Sequence, residues 1–308
     1  MQNTVLKDIE EIKRHQDDSL NEADFKKITE YYGFAVPAIL GEGFCLLRGK
    51  EMAFHERYAM TYLGALTGLF DDFFDVKKTS VTHIRELVDH PDEQLAENSH
   101  ELLFVRFFRK ALEHIHDFHR LTKSINNVFD AQILSKKQTG KVIEREEIQQ
   151  ITLLKGGFSL LFYRSALDEP VGLMEEKMLF SLGGISQLEN DLFDVYKDFC
   201  NGIKTLATTE NSIVRLRKYY KGLVEETFAL VHLTSFSDER KIMFLRFIAL
   251  IVSRGSVCLD LLEKREKATN HVFSLPEYTR QELICDMEKP GNRIKLLSYY
   301  LKCKTLPE

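Results

Sequence analysis

Two acidic clusters interrupt apolar segments of this 308-residue chain, and their residue types and spacing are those of a divalent-cation site. The first is Asp71-Asp72-Phe73-Phe74-Asp75, directly after Thr67-Gly68-Leu69-Phe70. Residues four apart share a helix face, so Asp71 and Asp75 project together, with Asp72 turned by about 100°. Three carboxylates closing a buried helix repel one another and need a counter-charge or a proton. A hard cation such as Mg2+ meets that need with carboxylate, water and phosphate oxygens. The alternative is a helix end whose charges face water.

The second cluster carries Asn190, Asp194 and Asp198 at i, i+4 and i+8 of a predicted helix over 171–200. On one helix these form a single oxygen stripe about 12 Å long. Leu188, Leu192, Phe193 and Val195 surround it, whereas a solvated acidic stripe has polar neighbours. One turn before lies Gly183-Gly184. That pair is costly inside a helix and tolerated where a backbone or ligand must come close. Two such sets would hold a small group of Mg2+ ions and, through them, a diphosphate.

The elements that must position these residues are helical. Only 16 Gly and 6 Pro punctuate the chain, which argues against an all-β sandwich or barrel. Helical periodicity runs over 3–17, 22–48 (with Pro37 as an expected kink or break), 53–75, 93–119, 144–167, 171–200, 211–231 and 238–263, then a shorter C-terminal pair. No period-two alternation is present. The expectation is an all-α fold, a single bundle of roughly ten or more helices forming one domain over 1–308, without linker or repeat.

Composition removes other classes. A net charge of −5 argues against a nucleic-acid binder. The apolar stretches, such as 158–163 and 249–252, are far too short to span a bilayer, which predicts no transmembrane segment. The charged N-terminus has no signal-peptide core. Cys45, Cys200, Cys258, Cys285 and Cys303 lack metal-finger spacing, which predicts a cytoplasmic protein with reduced thiols.

With these motifs the chain resembles the class I isoprenoid synthase superfamily. Residues 71–75 match its DDxxD motif letter for letter. Residues 190–198, NDLFDVYKD, resemble the terpene-cyclase motif ND-L-x-S/T-x-x-K-E, with Asp194 for Ser/Thr and Asp198 for Glu. The stretch QLENDLFDVYKD is also similar to the QLxNxLxDVxxD pattern of squalene/phytoene synthases. GISQLENDLFD is similar to the GxxFQxxDDxLD pattern of polyprenyl diphosphate synthases. No Arg-Arg-Gly segment follows the first motif, as chain-elongating enzymes usually have, and no Arg-Tyr pair lies near the C-terminus.

The resemblance implies a helical bundle around a central cavity and two or three Mg2+ ions, which assist ionisation of an allylic prenyl diphosphate. Carbocation cyclisation would follow, as in a terpene synthase. The metal ligands would be Asp71, Asp72 and Asp75 in the first motif and Asn190, Asp194 and Asp198 in the second. Lys197 holds the motif's own Lys position, and Arg48, Lys155 and Arg164 are further cations for the diphosphate. Phe74 and Phe158 belong to a set of rings that would face the carbocation, which aromatic quadrupoles stabilise. A homodimer is an open expectation. The rival within the superfamily is a prenyltransferase that couples two isoprenoid units.

Two readings from other classes remain. A di-iron carboxylate bundle wants Glu-x-x-His pairs on two helices. Glu97–His100 and Glu113–His116 fall on one predicted helix, about 24 Å apart, too far to share a metal pair. His114, His116 and His119 read instead as a solvated helix end. The other reading is a helical scaffold that has lost its chemistry.

Overall fold

The computed structural model describes residues 5–15, 17–75, 79–140 and 142–303, and every regular element among them is helical. The chain divides into two compact units: Met1–Ile133 with Leu161–Pro170, and Leu134–Leu160 with Val171–Glu308. Two of the three crossings fall inside helices, Phe118–Ser135 and Arg145–Arg164, and the third follows Pro170, between Arg145–Arg164 and Leu173–Phe193.

In the first unit the Phe54–Asp75 helix packs on Ser99–Leu112. It buries Ala59, Met60, Leu63, Leu66, Leu69, Phe70 and Phe73. Its other neighbour is the run over 22–48, where Pro37 was expected to break the helix. The run stays helical, with wide π turns at Lys27–Tyr32 and Val36–Gly41. Pro37 lies in the second of these, where a wider turn absorbs its missing N–H and its ring. Contact with Phe54–Asp75 is backbone to backbone: a Cβ on Gly64 would stand 2.5 Å from the Tyr32 carbonyl oxygen.

In the second unit the Leu173–Phe193 helix packs on Ile213–Leu233 and on Asp238–Ala268. A second glycine contact fixes it against Arg145–Arg164. A Cβ on Gly183 would lie 2.1 Å from the Gly156 carbonyl oxygen, and one on Gly156 would lie 1.9 Å from that of Gly183. The close approach expected from the Gly183-Gly184 pair is therefore to backbone. Asp238–Ala268 is long and apolar enough to cross a membrane, although Arg246 and Arg254 divide its sequence into short runs. More than half of its most apolar stretch is buried within the protein, as in a core helix.

Three helices of this unit meet at buried Glu189. Its Oε1 accepts from the Tyr220 hydroxyl at 2.6 Å and from the Gly255 N–H at 3.2 Å. Burial pushes the Glu189 carboxyl up from 4.5 to about 7. A folded-state value above the unfolded one means that the native state holds the extra proton. Stability therefore falls as pH rises from about 4.5 to 7, by about 3 kcal/mol. Glu189→Gln keeps the acceptor without the charge. Urea denaturation at pH 5 and pH 8 should show it more stable than wild type at pH 8, with the difference largely gone at pH 5.

Candidate functional site

The Phe54–Asp75 helix carries the first motif to its C-terminal turn, in the first unit. Asp71 is half-buried, and its Oδ1 accepts from Gln132 Nε2 at 2.6 Å. Asp72 is buried, and both its oxygens accept from Lys27 Nζ at 2.9 Å. Lys27 sits on the first π turn, so the widened backbone over 22–48 supplies the counter-charge that the aspartates need. The structure thus places Asp72 in an ion pair and Asp71 in a hydrogen bond with an amide. One turn earlier the Thr67 hydroxyl meets the Tyr163 hydroxyl at 2.7 Å. Burial pushes the Tyr163 phenol up, and the charge of Asp71 adds to the shift. Asp75 ends the helix; its side chain lies outside the described residues.

Phe74 is half-buried and packs edge-on against Phe70 and Phe129, with ring centroids at 5.3 and 5.5 Å. Phe70 in turn stacks on Phe104 at 5.7 Å. These rings therefore bury one another. Phe158, half-buried in the second unit, meets Phe180 edge-on at 5.4 Å.

Two expected diphosphate cations are placed elsewhere. The Arg48 side chain is 3% exposed and forks onto the buried Glu56 carboxylate at 2.9 and 3.1 Å, with Glu169 at 3.2 Å. Arg164 is equally buried, and its Nη1 donates to the Glu169 carbonyl at 3.1 Å. Arg48 holds the 165–170 segment against the start of the Phe54–Asp75 helix, and Arg164 ties that segment back to the end of its own helix. Burial alone would raise the Glu56 carboxyl. The Arg48 guanidinium and the Asp168 and Ala53 N–H groups overcome that and hold it down to about 2. This contribution to stability is present above pH 4.5 and is lost as pH falls through about 2. Arg48→Met strands the Glu56 charge and should cost about 3–5 kcal/mol at pH 7 in urea denaturation, with a smaller loss near pH 3.

The second motif spans a local turn across which the helical hydrogen bonds continue, from Asp194 N–H to the Asn190 carbonyl and from Asp198 N–H to the Asp194 carbonyl, both at 2.9 Å. The Leu173–Phe193 helix stops at Phe193, Asp194 takes φ −93° and ψ 8°, and a short helix Val195–Cys200 follows. Asn190 is left exposed, while Asp191 and Asp198 are buried and Asp194 is half-buried. The charges of Asp191 and Asp194 both act on Asp198, so Asp191 joins the acidic residues of this motif. Asp191 is a residue that the i, i+4, i+8 reading passed over. Its Oδ1 accepts from Gln187 Nε2 at 2.8 Å, and its Oδ2 is buried without a hydrogen-bond partner. The Gln187/Asp191 spacing of four was a signal for it in the sequence.

Burial pushes the Asp191 carboxyl up to about 6, against the pull of the Gln187 hydrogen bond and the Lys155 charge. Asp198 rises to about 7 through burial first, then through the charges of Asp191 and Asp194. Lys197 and Lys155 oppose that rise. Lys197 is exposed and reaches Asp194 Oδ2 at 3.1 Å. Lys155 is half-buried and is set beside the aspartates by the Gly156–Gly183 crossing. The three carboxylates, one with an unpartnered buried oxygen, present oxygen donors, and the two lysines present cationic N–H groups beside them. Among the described residues, the sets with three donor atoms within 4.8 Å of one another lie elsewhere: His55/His116/Asp168 and His83/Glu97/Glu101.

No family model matches the chain, and no curated protein matches it. Among solved structures it is similar to a dehydrosqualene synthase in complex with ligand, at 12% identity and a TM-score of 0.46, over 91% of this chain and 97% of that one. The reading of the site rests on the residues themselves.

Proposed function

We propose that this chain binds Mg2+ at its aspartate motifs, ionises an allylic prenyl diphosphate and cyclises the resulting carbocation, as a terpene synthase does. The observation that carries the reading is the Asp191/Asp194/Asp198 group beside Lys155. Burial and mutual repulsion raise two of these carboxylates, which is the environment a divalent cation relieves. Asp194 and Asp198 offer ligand oxygens, as does Asp71 in the other motif. Lys155 and Lys197 offer N–H donors to diphosphate oxygens. Bound Mg2+ would supply Lewis-acid neutralisation of the charge on the leaving diphosphate.

A second reading, coupling of two prenyl diphosphates, is favoured by the aspartates at 194 and 198. Asp194 and Asp198 match the two aspartates of the QLxNxLxDVxxD resemblance, where the terpene-cyclase motif has Ser/Thr and Glu. Products made from geranyl, farnesyl or geranylgeranyl diphosphate with Mg2+ separate the two by mass spectrometry. A hydrocarbon or alcohol with the carbon count of the substrate supports cyclisation, and a doubled count supports coupling. A longer diphosphate formed only with isopentenyl diphosphate would sink both.

A further inference from the structure

Three side chains from distant parts of the first unit's sequence converge near the start of the Phe54–Asp75 helix, at the opposite end from the first aspartate motif. His55 lies at the start of the Phe54–Asp75 helix, His116 in the turn before Phe118–Ser135, and Asp168 just after Arg145–Arg164. His55 Nε2 stands 2.9 Å from Asp168 Oδ2, and His116 Nδ1 stands 2.9 Å from Asp168 Oδ1. The two imidazole rings lie 4.5 Å apart, and one ligand atom from each of the three residues falls within 4.8 Å of the others.

We propose that His55, His116 and Asp168 form a binding site for a borderline divalent transition metal of the Zn2+ type. Two imidazole nitrogens with one carboxylate oxygen suit Zn2+ or Co2+, whereas Mg2+ prefers oxygen alone. Four-coordinate Zn2+ holds such atoms at about 2.0–2.2 Å, which places neighbouring ligand atoms about 3.3 Å apart. The observed 2.9 Å contacts need only small side-chain rotations to reach that spacing. His116 is 72% exposed, so water reaches the fourth position.

The framework behind the site is rigid, as a preorganised metal site requires. The Asp168 N–H donates to Glu56 Oε1 at 3.0 Å, and Glu56 is itself locked by Arg48. Arg120 clamps the same loop, donating to the carbonyls of Glu169 at 2.7 Å, of Ser165 at 3.3 Å and of Leu167. Asp168 is thereby aimed at the two imidazoles by three buried or half-buried side chains, Glu56, Arg48 and Arg120, that take no part in ligation. The His83/Glu97/Glu101 set differs. Glu101 is buried there and already accepts from the Glu97 N–H at 2.8 Å and from His83 at 3.0 Å, which reads as a helix-start brace.

The test titrates the full chain with Co2+, followed by visible ligand-field absorption, and with Zn2+ by calorimetry, both in excess Mg2+. The expected result is saturable 1:1 binding with the intense absorption of low coordination. His116→Ala and Asp168→Asn should each weaken it at least about tenfold, and His83→Ala should leave it unchanged. His116 is exposed, so its variant keeps the test sound should Asp168→Asn lose its helical circular dichroism. Absence of saturable binding, binding unchanged in His116→Ala, or binding lost in His83→Ala would each overturn the proposal. None of these readouts depends on turnover of a prenyl diphosphate.

Discussion

Gly183→Ala should unfold or expand the second unit and abolish diphosphate release with it. The new methyl would sit 2.1 Å from the Gly156 carbonyl oxygen and 2.7 Å from the Gly157 Cα. Both are backbone atoms of a neighbouring helix and cannot turn aside, so the helices must separate. Overpacking against movable side chains costs about 1–3 kcal/mol, and a clash with backbone should exceed that. Separation also carries Lys155 away from Asp191 and Asp198. Two controls bracket the effect in thermal denaturation. At Gly184 the methyl meets the Leu153 Cδ2 at 2.4 Å, the far end of a flexible side chain, so Gly184→Ala should cost less. At Gly222, exposed in the Ile213–Leu233 helix, nothing lies within 4 Å. Gly222→Ala should stabilise by about 0.5–1 kcal/mol through helix propensity.

Asp198→Asn should lower Mg2+-dependent diphosphate release by about a thousandfold or more, equivalent to about 4 kcal/mol of lost transition-state stabilisation. The same substitution should make the metal-free protein more stable at neutral pH. Burial and the charges of Asp191 and Asp194 raise the Asp198 carboxyl from 3.8 to about 7. Its charged form therefore destabilises the fold increasingly as pH rises from 3.8 towards 7. A loss of activity joined to a gain in melting temperature distinguishes a ligand carboxylate from one that only braces the structure. Removal of a bracing group lowers both. Asp194 is half-buried and paired with Lys197, so Asp194→Asn should reduce release with less change in stability.

Patterns confined to one helix were legible in the sequence. The all-α architecture followed from scarce Gly and Pro and from the apolar spacing. The glycine pair announced a close approach, and the first motif fell at the end of a buried helix as expected. What depended on partners from other segments was not legible. Arg48 and Arg164 look like free cations in apolar stretches until Glu56 and the Glu169 carbonyl are brought to them. Asn190 was taken as a ligand because a straight helix puts it in line with Asp194 and Asp198. The turn at Asp194 has no Gly or Pro to announce it, and beside it Asn190 is exposed while Asp191 is buried. The wide turns around Pro37 likewise depend on packing against the Gly64 face. His116 looked like part of a solvated helix end, since its neighbours His55 and Asp168 are distant in sequence.

Release of inorganic diphosphate from an allylic prenyl diphosphate tests the central claim most directly. The account predicts release by the wild-type chain with Mg2+, loss on chelation, recovery when Mg2+ is restored, and loss in Asp71→Asn and Asp198→Asn proteins that retain their helical circular dichroism. No release from substrates of any of the three chain lengths, or release that survives both chelation and these substitutions, would contradict it.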